Sequence, residues 1–443
     1  MKVAIIGAGI AGLSCGYRLV RAGVEPVVFE REVFSGGRTS AHEKDGFVMD
    51  MGAYTIPEFH KKFLALVDEL GLSGDLAQVP GNSVIYKAGR PHRMEIGSPV
   101  DFMQLKLLPF KSKARLVKIF MRAVSLGKHL DLNHPDVKTF QLEQESAAEY
   151  LLRKGDNDLL THIAWPVFSE LFLGNPETNS KAAFLATIRK LVRFKIFCLN
   201  SGMGTVAQKL AERMTVRFNT PVVSVRADTS HGGWRVDWGG ATPGTAHFDH
   251  VVFALPPPLV PDIYASLSPS AADLCRGVVY EPSLVVALAL QKPPAGGAMI
   301  CAMLREELPN VATVIFDHLK GPGRVPRGKG LLTAILSADA SRKFHKADDR
   351  RIRAVVLDEL TPLWPEIRDD LLFSKIFRWQ QAAVQLPEGA LKAQVRLREL
   401  LQKEHERLHF IGDGYFRASM EIGVVTGYGA ADRILAQGRV AGW

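Results

Sequence analysis

The sequence predicts an α/β protein: a βαβ unit opens the chain, and an α+β region with its own mixed sheet and a helical cap accompanies it. Three observations carry this expectation. A glycine turn, Gly7-Ala8-Gly9-Ile10-Ala11-Gly12, separates a short apolar run from an amphipathic helix. Brief β-branched runs recur over residues 215–255, and a strand, a glycine-bearing loop and a helix close the chain. At 443 residues the chain is too long for one simple core, so two intertwined domains are expected.

In order along the chain, Val3–Ile6 reads as a short buried strand. Ala11–Ala22 has helical spacing with Leu13, Tyr17 and Val20 on one side. Gly23 ends that helix and Val27–Phe29 is the second strand. Residues 56–200 read as mostly helical, with amphipathic stretches around 59–70, 102–130, 144–154 and 181–194. Val216–Phe218, Val222–Arg226, Trp234–Trp238 and Val251–Ala254 are short strands separated by Gly, Thr and Asn turns. Residues 283–290 and 329–336 are further strands and 346–361 is a helix. Strand His409–Ile411 and helix Gly423–Ala436 end the pattern.

Bulk properties narrow the function. Hydrophobic content of 47% with 23% charged residues is ordinary for a globular enzyme. The net charge of +9 is spread along the chain without a Lys/Arg block or a nucleic-acid motif, so no nucleic-acid partner is expected. Cys15, Cys198, Cys275 and Cys301 are far apart with no metal spacing, which implies free thiols in a reducing, cytoplasmic setting. His42, His60, His92, His129, His134 and His162 show no metal spacing either, and no metal site is expected. The apolar run after Lys2 resembles a signal peptide, but Gly7, Gly9 and Gly12 interrupt it, as a strand entering a turn would require. No uncharged apolar stretch of the length a membrane-spanning helix needs occurs.

The glycine turn has a physical reading. Gly7 permits the tight turn, Gly9 lets a pyrophosphate approach the backbone, and Gly12 lets helix pack on strand. The helix start, with Ala11, offers unpaired N–H groups to an anion. Glu30, followed by Arg31, closes the second strand where a carboxylate would accept hydrogen bonds from ribose hydroxyls. This is the pattern of a Rossmann-like dinucleotide site.

Gly36-Gly37-Arg38 and then Phe47-Val48-Met49-Asp50-Met51-Gly52-Ala53 follow. With these the sequence resembles the FAD-dependent amine oxidase superfamily, which includes monoamine oxidases, protoporphyrinogen oxidases and phytoene-type desaturases. The resemblance implies that Gly37 and Arg38 lie near the pyrophosphate and that Gly52 and Ala53 pass close to the flavin ring. Ser201-Gly202-Met203-Gly204-Thr205 resembles the segment returning the chain to the cofactor domain, and Thr220-Pro221-Val222-Val223 the strand in which Val222 contacts adenine. Asp249–Pro257 is similar to the family's crossing strand. Phe410-Ile411-Gly412-Asp413-Gly414 and Met420-Glu421-Ile422-Gly423 resemble its C-terminal flavin motif. There Gly412 and Asp413 would bind the ribityl–pyrophosphate region, and the helix start at Glu421 and Ile422 would face the flavin carbonyl edge, where a positive helix end stabilises a reduced flavin. The resemblance implies a cofactor domain of residues 1–75, 200–262 and 400–443, and a substrate domain of 76–199 and 263–399. Because the last cysteine is Cys301, FAD is expected to be held non-covalently.

The branch is less sharply marked. Amine oxidases of this family place a lysine on the strand that corresponds to Ser283–Leu290, which has none, and an aromatic residue where this chain has Ser419. Tyr415, Phe416 or Trp379 remain for a different cage. Phe377-Arg378-Trp379, ahead of Pro387, resembles the arginine/tryptophan segment of the porphyrinogen oxidase and desaturase branches, so Arg378 and Trp379 are the candidate catalytic pocket residues. Residues 102–130 interleave apolar and basic side chains, which fits either helices capping a long pocket or peripheral contact with an anionic bilayer. Ile188–Phe197, with Arg189, Lys190, Arg193 and Lys195, adds a second basic stretch suited to the same opening or to substrate carboxylates.

The expected function is hydride abstraction from a C–H bond of a hydrophobic, porphyrinogen-, polyene- or polycycle-like substrate, giving a C=C or C=N bond, with oxygen, a quinone or another acceptor taking the electrons. An amine oxidase with an atypical cage and a non-redox flavin-dependent isomerase are the alternatives; oligomeric state is not legible. Glu30→Ala is expected to lower FAD retention on purification, and unchanged flavin content in that variant would count against the ribose assignment.

Overall fold

The computed structural model describes all residues except 96–97, 193–194, 231, 297 and 441–443, and the side chains of 438–440 are likewise left aside. Two sheets organise it. The first has five parallel strands in the order Thr215–Arg217, Pro26–Phe29, Val3–Ile6, His250–Phe253 and Leu408–Phe410. The opening strand is therefore central and the closing strand is an edge. Val3–Ile6 is buried along its whole length, as a parallel strand covered on both faces must be. A three-stranded antiparallel sheet, Val222–Ala227, Trp234–Trp238 and Gly244–Phe248, packs beside it.

The second sheet has seven strands in the order Leu371–Val384, Tyr280–Leu290, Gly330–Leu336, Val311–Phe316, Ile300–Met303, Asn82–Lys87 and Arg90–Glu95. All of its pairings are antiparallel except Ile300–Met303 with Asn82–Lys87, so the sheet is mixed. Helices Phe110–Leu126, Val137–Leu142, Ala147–Arg153, Trp165–Leu171 and Lys181–Lys190 form a cap around one apolar cluster that includes Leu116, Leu151, Phe168 and Phe184.

The expectation that residues 56–200 are mostly helical holds, with helices in each of the four amphipathic stretches, but it passed over short strands. Leu76–Gln78, Asn82–Lys87, Arg90–Glu95 and Ile196–Leu199 are strands. The hairpin turns through Ala88 and Gly89, both at positive φ (50° and 67°), which matches the strand twist but lacks the Asn-Gly signature that would announce it. Ile196–Leu199 pairs with both Ile56–Pro57 and Leu76–Gln78 and so ties together stretches on either side of the boundary at 75/76. The amphipathic stretch 181–194 is helical over Lys181–Lys190; Arg193, one of its basic residues, lies outside the described residues.

What brings the chain ends together is a helix–helix contact. Ile10–Arg21 packs along the helix Met420–Val440. A Cβ on Gly423 would sit 2.5 Å from Ile10 Cγ2, and one on Gly427 would collide with the Ala11 carbonyl and lie 3.0 Å from the Cys15 amide. Two glycines four residues apart on one helix face thus permit the close approach, Gly427 backbone to backbone and Gly423 against the Ile10 side chain. Gly427→Leu is expected to cost more than about 2 kcal/mol, since the obstacle is backbone and cannot rotate away. A thermal melt of the apoprotein checks it, and an unchanged Tm would contradict the packing.

Candidate active site

The glycine turn separates its roles cleanly. Gly7 has φ of 105°, and a Cβ there would come 2.7 Å from the Ala254 carbonyl; one on Gly12 would collide with the Gly7 carbonyl. Around Gly9 no atom lies within 4 Å of the Cβ position. The first and third glycines serve close packing, and the second leaves open room in front of the helix start, where Leu13 N–H is the first amide to find an intrahelical acceptor, Gly9 O at 3.0 Å. The Ile10, Ala11 and Gly12 amides therefore face that room. Beside it, the Glu30 carboxylate accepts from the Ala8 and Glu32 amides at 2.8 and 2.9 Å. Burial raises its pKa, and these two amides oppose the rise. Thr220 N–H donates to Glu30 O at 2.8 Å, which sets Val222 alongside. Arg31 points outward and pairs with Glu32.

The second glycine loop is laced to the first: Gly36 N–H donates to Ala8 O at 2.8 Å, with Gly36 and Gly37 both at positive φ. Arg38 then reaches across to the C-terminal motif. Its guanidinium donates to both Asp413 oxygens at 2.8 Å and to Ala382 O at 3.0 Å. Burial works against the Arg38 charge, but Asp413 more than compensates and raises its pKa. Gly412, at φ 122°, again has no atom within 4 Å of its Cβ position, and its amide donates to Thr426 Oγ1 at 3.2 Å. Gly52 passes so close to the Arg38 carbonyl that a Cβ would collide with it, and Ala53 N–H donates to that carbonyl at 2.8 Å. Trp379 Nε1–H donates to Met51 O at 2.6 Å, so the indole braces the stretch that leads to Gly52 and Ala53.

Two expected site residues are turned elsewhere. Arg378 neighbours Trp379 on Leu371–Val384, and strand alternation puts them on opposite faces. The Arg378 guanidinium bonds Ala347 O at 2.8 Å and Asp349 at 2.6 Å, on the face covered by the helix Asp349–Leu360, and is withdrawn as a pocket residue. Glu421 accepts from the Lys62 and Phe63 amides, both at 2.9 Å, and so caps the helix Lys61–Glu69 instead of facing the crevice. Ile422, in the same first turn, is buried. Among the aromatics proposed for a cage, Tyr415 lies in the apolar core and Phe416 sits under Arg398 at 4.4 Å.

Sequence reasoning missed several groups. Asp50 is fully buried and accepts from Met203 N–H at 2.9 Å, from Lys320 Nζ at 2.9 Å and from Arg324, while Asp317 accepts from Lys320 at 2.6 Å. Burial pushes the Asp50 carboxyl up, but the two cations overcome it and hold it below the ordinary value. Tyr54, one residue beyond Ala53, donates to Glu170 at 3.2 Å, and burial lifts the Glu170 carboxyl to about 7. His60 Nε2 lies 3.3 Å from Ser419 Oγ and is pushed down to about 3 by burial and by Arg417 and Lys190, so it is neutral. None of these carries a motif of its own in the sequence, and only tertiary contact reveals it.

Two open glycine positions, Gly9 at a helix start and Gly412 ahead of the short 3-10 turn Asp413–Tyr415, each with a carboxylate nearby (Glu30 at one, Asp413 at the other), fit an extended dinucleotide with its adenosine half on the N-terminal turn and its other half on the C-terminal motif. The described residues contain no helix long and apolar enough to cross a membrane.

Comparison with known proteins agrees. The sequence model of the family described as flavin containing amine oxidoreductase matches residues 10–435. The mitochondrial protoporphyrinogen oxidase of Nicotiana tabacum is 24% identical over 428 residues, covering 85% of this chain and 84% of that protein. The carotenoid phi-ring synthase of Streptomyces griseus is 26% identical, covering 88% and 79%. Among solved structures, a putative protoporphyrinogen oxidase from Exiguobacterium sp. 255-15 superposes with a TM-score of 0.77 over 98% of this chain and 99% of that one, at 18% identity.

The Glu170 carboxyl makes a pH prediction. Its folded pKa is raised, so between about 4.3 and about 7 the native state holds a proton that the unfolded state has lost, and stability falls as pH rises through that window. Glu170→Gln is expected to flatten this part of the stability–pH curve and to be more stable than the parent at pH 8; parallel curves would contradict it.

Proposed function

The chain belongs to the flavin-containing amine oxidoreductases and is an FAD-dependent oxidoreductase, and from that premise we propose that it oxidises a hydrophobic substrate carrying a carboxylate, in the manner of the porphyrinogen oxidases. The bound flavin supplies a two-electron acceptor for a hydride from a substrate C–H bond. FAD would be held non-covalently: Glu30 would take the adenosine ribose, the Ile10–Gly12 amides the pyrophosphate, Arg38 and Asp413 the pyrophosphate–ribityl stretch, and Gly52, Ala53 and the first turn with Ile422 would flank the ring. Trp379 positions the Met51–Ala53 stretch. Oxygen or a quinone takes the electrons on.

The observation that carries the substrate class is a pair of cations at the crevice. Lys190, at the end of the cap helix Lys181–Lys190, stands 5.3 Å over the Phe59 ring, next to His60 and hence to Ser419. Arg417 lies two residues before Ser419. Among the described residues neither has a carboxylate at ion-pair distance. Burial and the neighbouring Arg417 bring Lys190 down to about 8, and burial lowers Arg417. Asp131 lies within electrostatic reach of both and opposes their downward shifts, but with no carboxylate paired to either, the two cations repel a protonated amine and suit a carboxylate on an apolar body. That favours this reading over an amine oxidase.

The holoenzyme should bind mesoporphyrin IX at least about tenfold more tightly than its dimethyl ester, roughly 1.4 kcal/mol, and Lys190→Met/Arg417→Met should abolish the preference while retaining flavin. Equal affinity for acid and ester in the parent would overturn the carboxylate assignment; failure of both to bind a flavin-loaded enzyme would overturn the hydrophobic substrate as well.

A further inference from the structure

Glu170 is a carboxyl without a countercharge. It stands on the cap helix Trp165–Leu171, whose Phe168 enters the apolar cluster of the cap together with Phe172 just past the helix end. Two positions from each, Glu170 falls on the opposite side of the helix. There one oxygen accepts from the Tyr54 hydroxyl at 3.2 Å. The other has no hydrogen-bond partner among the described residues and is not sealed in, so it looks onto open space. The strands packed against this helix, Ile300–Met303 and Val311–Phe316, bring no charged side chain, and the Cys301 thiol on the first is turned to Ala298 O. His162, on the preceding turn, lies 2.9 Å from Lys87 Nζ and 3.0 Å from Asp158 O. Lys320 stands 5.3 Å over the Tyr54 ring but is held by Asp50 and Asp317.

A carboxyl whose charge is penalised by burial and met by no cation weakens a fold, and such groups concentrate where a proton must be moved. Burial lifts Glu170 to about 7, and the Tyr54 bond alone opposes the rise. Tyr54 joins this carboxyl to the stretch that would flank the flavin. It follows Ala53, whose amide is fixed to Arg38 O, and Met51 is fixed by Trp379. The other titratable groups at the crevice suit proton acceptance less well. His60, at about 3, holds a proton too weakly, and Lys190, at about 8, is mostly charged at neutral pH. Arg417 stays charged throughout.

We propose that Glu170 is the proton acceptor of the oxidation, and that Tyr54 is the positioning residue that holds its carboxylate beside the flavin-flanking stretch. The inference rests on the reading above, in which a substrate C–H bond is the hydride donor. That C–H bond breaks with both electrons passing to the flavin as hydride. An N–H bond on a ring attached to the same carbon breaks, its electron pair is drawn into the new double bond, and its proton goes to the free oxygen of Glu170. The substrate class narrows accordingly: an apolar body carrying a neutral N–H, as in a pyrrolic ring, offers a donor to a carboxylate without the full charge that Lys190 and Arg417 would repel.

The FAD-loaded full chain is tested in two ways. The reduction potential of the bound flavin, followed against pH, senses a titrating carboxyl near the ring without any substrate, because charge added to the ring draws a proton onto that carboxyl. The parent curve is expected to bend near pH 7 and the Glu170→Gln curve to lose that bend. Tyr54→Phe removes the bond that opposes the rise of Glu170 and should move the bend to higher pH. The second measurement is the rate of anaerobic flavin reduction by protoporphyrinogen IX. It should climb with pH to a plateau above about 7, and Glu170→Gln should lower that plateau at least about 100-fold. Superimposable potential curves for parent and Glu170→Gln, or an undiminished rate in Glu170→Gln, would overturn the proposal. If protoporphyrinogen IX reduces the flavin of neither enzyme while the potential curves differ as expected, the porphyrinogen reading falls and the proton acceptor stands.

Discussion

The close approach of the first and last long helices is the constraint on which the rest depends. Gly427 lets Met420–Val440 lie backbone to backbone against Ala11 and Cys15, and Gly423 makes room for the Ile10 side chain. Once that contact forms, two helix starts, at Ile10 and Met420, open on one crevice, and their unpaired amides present positive partial charge from both sides. The adjacent edge strand Leu408–Phe410 then completes the parallel sheet begun by Val3–Ile6. Arg38 and Asp413, 375 positions apart in sequence, close a two-toothed ion pair across the same crevice. A chain built this way cannot assemble its cofactor site until its last residues have folded back.

A second buried network holds the stretch between those ends. Asp50, Asp317, Lys320 and Arg324 are all nearly inaccessible to solvent and balance in charge. Such a cluster gives little net stability over an apolar core, yet removing one member strands a buried charge at a cost of about 3–5 kcal/mol. Its effect is geometric. Asp50 is locked to Met203 on one side and to the Asp317–Arg324 loop on the other, and Gly52 and Ala53 follow within three residues. The cluster therefore fixes where that strand ends relative to both sheets, and Trp379 adds a bond to Met51 from the second sheet.

The N-terminal turn, Glu30 and the C-terminal motif were legible in the sequence because their chemistry is local: glycine spacing, a strand end and a helix start lie within a few residues of each other. Strand positions in the cofactor-binding sheet came out within about one residue for the same reason, whereas the closing helix, expected over Gly423–Ala436, runs over Met420–Val440. The hairpin Asn82–Glu95 was not legible, since its turn uses Ala88 in a left-handed conformation and its edge strand is polar. Arg378 and Glu421 show a different limit. Both stand in recognisable stretches, but strand alternation and a helix needing a cap decide where their side chains point, and one-dimensional spacing records neither partner. Glu170, Lys320 and Arg417 carry no sequence signal at all, because their surroundings are assembled from segments far away.

The central claim is that one dinucleotide spans the two chain ends. A crystal structure of the holoenzyme tests it most directly. Electron density for a single FAD, its ribose at Glu30, its pyrophosphate over Gly9 and its ring between Ala53 and the Met420–Ile422 turn, is the predicted result. A nicotinamide in place of the flavin ring, or a flavin bound away from Gly412, would contradict the account.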